Sequence, residues 1–174
     1  MSIRYAAYGS NLHPVRLEAR LPAAELLGTA RLDGWSLEFH KRGRDGSGKC
    51  TVRPGGSGVA LAVYALSRRD LATLDAIEGV GMGYQRRVVE LPRYGACHTY
   101  IAAASHVDES LAPFDWYREL VILGAEHHAF EASYIDRLAT VATTIDPDPG
   151  RHAEHWELIR RIDPARRPAL RGAS

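Results

Sequence analysis

The chain has little of what marks a secreted, metal-clipped or membrane-spanning protein. Its 174 residues include only two cysteines, Cys50 and Cys97. They lie too far apart for a redox or zinc motif, so two reduced thiols are expected. No apolar run approaches the roughly 20 residues needed to cross a bilayer. Arg4 and Tyr5 interrupt the N-terminus where a secretory signal needs a long apolar stretch. A cytoplasmic protein with no membrane partner is therefore expected. Charge of one sign is lacking too: the formal net charge is +1, which excludes the strong field of a nucleic-acid binder. What is present is ordinary. Hydrophobic residues make up 45% and charged residues 25%, enough for one sizeable core.

No internal repeat or interior linker divides the chain. A first strand is expected over Ile3 to Tyr8, then a loop at Gly9-Ser10-Asn11 and a short helix from Pro14 to Arg20. Leu26 to Leu32 and Trp35 to His40 read as a hairpin turning at Asp33-Gly34. Gly43 to Gly58 carries six glycines and a proline and reads as a long exposed loop. Strands are expected at Val59 to Leu66, Tyr84 to Leu91 and Ala96 to Ala103. Helices are expected at Arg68 to Glu78, Asp115 to His127, Ala132 to Val141 and Ala153 to Ile162. Strands first and helices last indicate an α+β fold, with short antiparallel strands curling into a small barrel. Residues 1–163 would form one domain and 164–174 a flexible basic tail.

The segment "LSRRDLATLDAIEGVGMGY" contains a carboxylate in an unusual place. Ser67 and Asp70 resemble a capping box, Leu71 and Leu74 define an apolar helix face, and Gly79 is a stop signal. Glu78 follows Leu71 by seven residues and Leu74 by four, so it shares their face. Burial, the negative helix C-terminus and Asp75 one turn earlier would all raise its pKa toward the range of a general base. The plainer alternative is a glutamate turned to solvent or paired with Arg86 or Arg87.

The early stretch "YAAYGSNL" breaks a strand abruptly at Gly9. Backbone N–H groups freed from strand pairing there can point at an anion, with Ser10 and Asn11 adding hydroxyl and amide partners. A simple turn with Asn11 capping the helix near Pro14 is the competing reading.

These stretches in order, with a later "PFDWYRELVILGAEHH", resemble the γ-glutamylcyclotransferase family (AIG2-like) over roughly residues 4–146. The resemblance implies a small mixed, largely antiparallel β-barrel flanked by helices and no metal or organic cofactor. It implies an enzyme, related to glutathione metabolism, that takes a small γ-glutamyl substrate and releases 5-oxoproline by a transferase- or lyase-type C–N cleavage. By motif position Glu78 matches the catalytic acid/base, and Tyr8, Gly9, Ser10, Asn11 and Leu12 match the substrate-binding loop. Tyr117 matches the tyrosine that closes the pocket, and Tyr84 a residue of its wall. A noncatalytic small-ligand-binding module using the same pocket is the alternative. The resemblance names neither the leaving amine nor the oligomeric state.

Other signals carry less. "GRDGSGKC" (43–50) nearly spells a phosphate-binding P-loop, but Cys50 replaces the Mg²⁺-binding Ser or Thr, and Arg53-Pro54 and Gly55-Gly56 cannot continue the required helix. Lys49 or Arg42 is instead expected to attract a carboxylate near a substrate entrance. His127, His128, His152 and His155 read as surface residues, because no third ligand completes a metal set. Ser10 lacks the paired histidine or elbow motif of a nucleophile.

Overall fold

A computed structural model of the chain describes residues 2–168; residues 169–174, most of the expected tail, lie outside them. The core is a five-stranded sheet in the order β2-β5-β1-β7-β6. Its strands are β1 (Ile3–Ala7), β2 (Glu25–Leu32), β5 (Val59–Leu66), β6 (Tyr84–Leu91) and β7 (Gly95–Ala102). The chain segment "VALAVYAL" of β5 is almost wholly buried, as expected of a strand covered on both faces. At its side lies β1, antiparallel to β5 but parallel to β7. The loop after β1 thus leaves the middle of the sheet, at the change from antiparallel to parallel pairing.

Two strands, β3 (Trp35–Arg42) and β4 (Gly48–Pro54), form a separate antiparallel ribbon. This corrects two expectations. Asp33-Gly34 joins β2 to β3, but the pair is no hairpin: β2 ladders with β5 and β3 with β4. Gly34, at φ 75°, turns the chain from one sheet to the other. The supposed loop 43–58 contains β4, whose Cys50, Thr51 and Val52 are buried. Its glycines conceal the strand, and Gly48 is required there. A Cβ on Gly48 would lie 2.0 Å from the Phe39 carbonyl oxygen.

The class is α+β and largely antiparallel, as expected, but the sheet is not a closed barrel. No ladder joins the edge strands β2 and β6 among the described residues. Side chains span the gaps instead: the Tyr94 hydroxyl reaches the Leu27 carbonyl at 3.5 Å, and the Ala102 N–H donates to Thr51 Oγ1 at 3.0 Å. A closed barrel needs a continuous ladder with matched stagger, and the separate β3–β4 ribbon interrupts it.

Among the described residues five α-helices flank the sheet: α1 (Pro14–Glu18), α2 (Arg68–Glu78), α3 (Asp115–His127), α4 (Ala132–Ala139) and α5 (Pro149–Ile162). None is long and apolar enough to cross a membrane among the described residues. The capping box of α2 forms as read, with Ser67 and Asp70 bonded reciprocally. Gly79 ends it in the left-handed region at φ 69°, where glycine carries no Cβ penalty. The last helix starts four residues before Ala153, because Asp148 caps it and Pro149 suits the first turn. Arg166, within the expected tail, pairs with Glu119, Glu126 and Asp163.

α3 is buried along most of its length and packs against the loop after β1. A Cβ on Gly124 would lie 2.4 Å from Leu12 Cβ and 2.9 Å from the His13 nitrogen. Gly124→Ala is therefore expected to destabilise the fold by about 2 kcal/mol, as overpacking of a tight contact does. Thermal unfolding would register this as a midpoint roughly 6 °C lower. An unchanged midpoint would show that α3 does not hold the loop.

Candidate active site

Two features of the sequence bring the site together. The strand β1 ends at the sheet centre and delivers Tyr8 to Asn11. The helix α2 ends at Glu78, on the buried side set by Leu71 and Leu74. Asn11 Nδ2 donates to Glu78 Oε1 at 3.0 Å, so the loop and the carboxylate face each other directly. A pocket opens between them. Besides Glu78 and residues 8–11 of the loop, it is lined by Tyr5, Cys50, Tyr84, Tyr100 and Tyr117.

Glu78 pairs with neither Arg86 nor Arg87. Its ionic partner is Arg20, whose guanidinium lies 3.4 Å from Oε1 and also donates to Asn11 Oδ1 at 2.9 Å. The glutamate side chain retains 18% exposure. Asp75 does not crowd it as a free charge, since Arg86 and the Tyr100 hydroxyl both bind Asp75. Both donors to Glu78 act on Oε1, and Oε2 has no hydrogen-bond partner among the described residues. Oε2 is the oxygen left for a ligand's proton. Arg20 carried no signal in the sequence, because its distance from Glu78 is 58 residues and only the fold joins them.

The loop is more than a turn. Asn11 does not cap α1; His13 does, its Nδ1 accepting from the Val15 N–H at 3.2 Å. Asn11 instead bridges Tyr5, Arg20 and Glu78. The backbone N–H groups of Gly9, Ser10 and Asn11 have no protein acceptor among the described residues. Such a run of unpaired amides suits a carboxylate or an oxyanion. Gly9 permits the close approach: a Cβ there would meet Cys50 Cβ at 3.0 Å and Tyr117 Oη at 3.4 Å.

Leu12 departs from the expected set. Its N–H closes a turn onto the Gly9 carbonyl at 3.0 Å, and its side chain is fully buried in the core. Its carbonyl accepts from the Tyr64 hydroxyl and from His128 Nε2. Leu12 therefore anchors the loop and lines neither this pocket nor the cleft beside it, because an apolar side chain at this position gains more by packing against α3.

Tyr84 and Tyr117 both line the pocket, and together they clamp β4. The Cys50 N–H donates to Tyr117 Oη at 3.1 Å, and the Tyr84 hydroxyl donates to the Cys50 carbonyl at 2.5 Å. Tyr8 donates to the Tyr100 carbonyl. Burial, with smaller contributions from neighbouring acidic groups, pushes the phenols of Tyr8, Tyr84 and Tyr117 well above their ordinary range. They remain neutral hydroxyls and supply hydrogen bonds but no charge. Burial likewise pushes the Cys50 thiol up to about 12, which removes it as a nucleophile near neutral pH. Tyr5, Tyr100 and Cys50 were not among the expected site residues. Tyr5 was legible in principle, at two-residue spacing before Ala7 on β1; Cys50 was hidden by the loop reading of 43–58.

An outer cleft continues from this pocket and shares Ser10, Glu78, Tyr84 and Tyr117 with it. The P-loop look-alike lies here without a P-loop's structure: a strand, not a helix, follows Lys49. Lys49 Nζ pairs with Asp45 at 2.7 Å and lies over the Trp116 and Tyr117 rings. Arg42 turns away to Asp108. The histidines of α5 are not free surface groups either: His155 stacks on Trp116 at 3.7 Å and His152 contacts Asp115 at 3.1 Å.

The AIG2-like family model matches residues 58–138 of the chain, which include Glu78, Tyr84 and Tyr117. The γ-glutamylcyclotransferase of Homo sapiens is 28% identical over 151 residues, covering 80% of this chain and 79% of that protein. The Bos taurus γ-glutamylcyclotransferase matches with the same identity and coverage. A solved γ-glutamyl cyclotransferase structure superposes with a TM-score of 0.80 at 25% identity, covering 92% of this chain and 99% of that one. YkqA from Bacillus subtilis shares the fold at a TM-score of 0.70 and 20% identity, covering 82% of this chain and 56% of its own. The chain is thus similar in sequence to γ-glutamylcyclotransferases and shares the fold of a solved γ-glutamyl cyclotransferase.

Proposed function

We propose that this protein releases 5-oxoproline from a γ-glutamyl amino acid, peptide or amine, with Glu78 as general base and then general acid. The reading is supported above all by one contact, Asn11 to Glu78 Oε1 at 3.0 Å, across a pocket walled by neutral tyrosines. In the reaction the substrate's own α-amine attacks its own γ-carbonyl. Ring closure is intramolecular, so the protein has mainly to fold the substrate and move protons.

Glu78 Oε2 accepts a proton from the α-ammonium, and the freed nitrogen lone pair forms the new C–N bond at the γ-carbon. The carbonyl electrons move to oxygen, giving a tetrahedral oxyanion. When the carbonyl reforms, the bond to the leaving nitrogen breaks and Glu78 returns the proton to that nitrogen. The ring nitrogen sheds its second proton, which Glu78 passes to the departing amine; the products are 5-oxoproline and the amine as its ammonium, and the carboxylate is regenerated. Arg20 and Asn11 keep Oε1 in place through both transfers, as positioning residues. The unpaired amides of residues 9–11 bind the substrate α-carboxylate or the oxyanion.

The test is incubation with a panel of γ-glutamyl amino acids, peptides and amines, monitored for 5-oxoproline by mass spectrometry. Release from at least one member, at a rate proportional to protein, is expected. No release across the panel, with tight binding of one member, would leave a noncatalytic binding module instead.

A further inference from the structure

The outer cleft has far more positive than negative charge. Arg16, Arg20, Lys41, Arg44, Lys49 and Arg151 line it, against the carboxylates of Asp45 and Glu78. Three of the six cations are already matched: Lys49 by Asp45, Arg151 by Asp146, and Arg20 by Glu78. Arg16, Lys41 and Arg44 pair with no carboxylate among the described residues.

Lys41 is the most informative of these. It is 7% exposed, and its Nζ makes no hydrogen bond to the protein among the described residues. Its ammonium lies 4.4 Å from the centre of the Tyr84 ring, at the neck shared by pocket and cleft. A cation–π contact offsets only part of the cost of partly desolvating an ammonium. Burial lowers the Lys41 pKa. Arg16 repeats the pattern: its Nε is buried without a partner. Burial, then the neighbouring Arg20, bring its pKa down to about 10, which still leaves it charged at neutral pH. Arg44 is exposed at the rim.

A γ-glutamyl group in the inner pocket directs its leaving half through the neck into this cleft. A simple amino acid brings one carboxylate there, fewer than the unmatched cations. We propose that the preferred substrates are γ-glutamyl derivatives whose leaving half carries a second carboxylate, an acidic amino acid or peptide, selected by Lys41 and Arg16. This rests on the cyclotransferase reading and deepens it. Lys41 and Arg16 act as specificity residues, and the proton transfers remain with Glu78.

γ-Glutamylglutamate and γ-glutamylglutamine differ in charge at nearly constant shape, so their comparison isolates the second carboxylate. The expected kcat/KM ratio favours the acidic dipeptide by about tenfold or more, the size of one charge-assisted contact. The ratio falls toward one in Lys41→Met, falls partway in Arg16→Gln and Arg44→Gln, and shrinks with added salt. The rim variant Arg44→Gln keeps the test available if a buried substitution prevents folding. A wild-type ratio at or below one overturns the proposal while 5-oxoproline release upholds the reaction, and so does a ratio that none of the three substitutions changes.

If neither dipeptide is cleaved, both survive, and calorimetric affinities give the same ratio. Discrimination with no member of the panel cleaved overturns the cyclotransferase reading and keeps an acidic-ligand cleft. Equal affinities with no member cleaved overturn both, and equal affinities with another member cleaved overturn the acidic preference alone.

Discussion

Glu78→Gln is expected to lower 5-oxoproline release by about a thousandfold while the protein stays folded, a loss within the usual range for a general acid/base. The substitution is informative because of how the side chain is held. Asn11 and Arg20 both donate to Oε1, and glutamine keeps an acceptor oxygen that can take that place. Its NH₂ group replaces Oε2, the oxygen without a protein partner, and cannot accept a proton from an α-ammonium. Arg20 loses its counter-charge but retains 26% side-chain exposure and its bond to Asn11, so the stability cost is expected to stay near 1 kcal/mol or below. Initial rates with a cleaved γ-glutamyl substrate and a thermal melt of the same preparation check both halves. Turnover within tenfold of wild type would remove Glu78 from the proton transfers.

The largest expected effect on stability lies at a residue that no sequence motif marked. Asp146 is fully buried. It accepts from the Trp116 indole N–H at 2.9 Å, from the Asp148 N–H at 2.9 Å, and from Arg151 Nε and Nη2 at 2.7 and 2.6 Å. Desolvation opposes the charge, but these bonds and the Arg151 cation prevail and hold the carboxyl down at about 2. Asp146→Ala removes the acceptor of the buried Trp116 N–H, of the Asp148 N–H and of the Arg151 guanidinium, and is expected to cost about 3 kcal/mol. In a chain of this size that is roughly 10 °C in melting midpoint.

The sign of the pH dependence follows from the depressed value. The unfolded chain takes up the proton first, near 3.8, so the contribution of Asp146 is complete above that pH. It is lost as pH falls toward 2, by on the order of 2 kcal/mol at about 1.4 kcal/mol per pKa unit. Acid unfolding of the wild type should steepen in that window, and the variant should lack this component. Equal midpoints and equal acid slopes would show that the carboxylate is not held as an ion pair. Trp116 and Arg151 both line the outer cleft, so losing Asp146 should also loosen the cleft wall.

Sequence alone determined much of this protein where the signal is local. The α2 helix was legible from end to end because capping, apolar spacing and the stop glycine all act within one segment. The same spacing put Glu78 on the buried face. The order of "YAAYGSNL" and the Glu78 segment, with the later tyrosine stretch, carries the resemblance to γ-glutamylcyclotransferases.

What only the tertiary structure decided depends on residues far apart in the chain. Arg20, two residues past α1, meets Glu78 at the end of α2 only in the assembled fold. The strand β4 was unreadable because Gly48 is there to let Phe39 approach, a requirement set by a neighbouring strand. Leu12 looked like a site residue by position, but the space left by Gly124 draws it into the core. Lys41 is an ordinary lysine in the sequence. It becomes a largely buried charge without a carboxylate partner only because β3 sets it beside the Tyr84 ring. Periodicity and caps are properties of one segment, whereas charge balance and close contact are properties of the assembled fold.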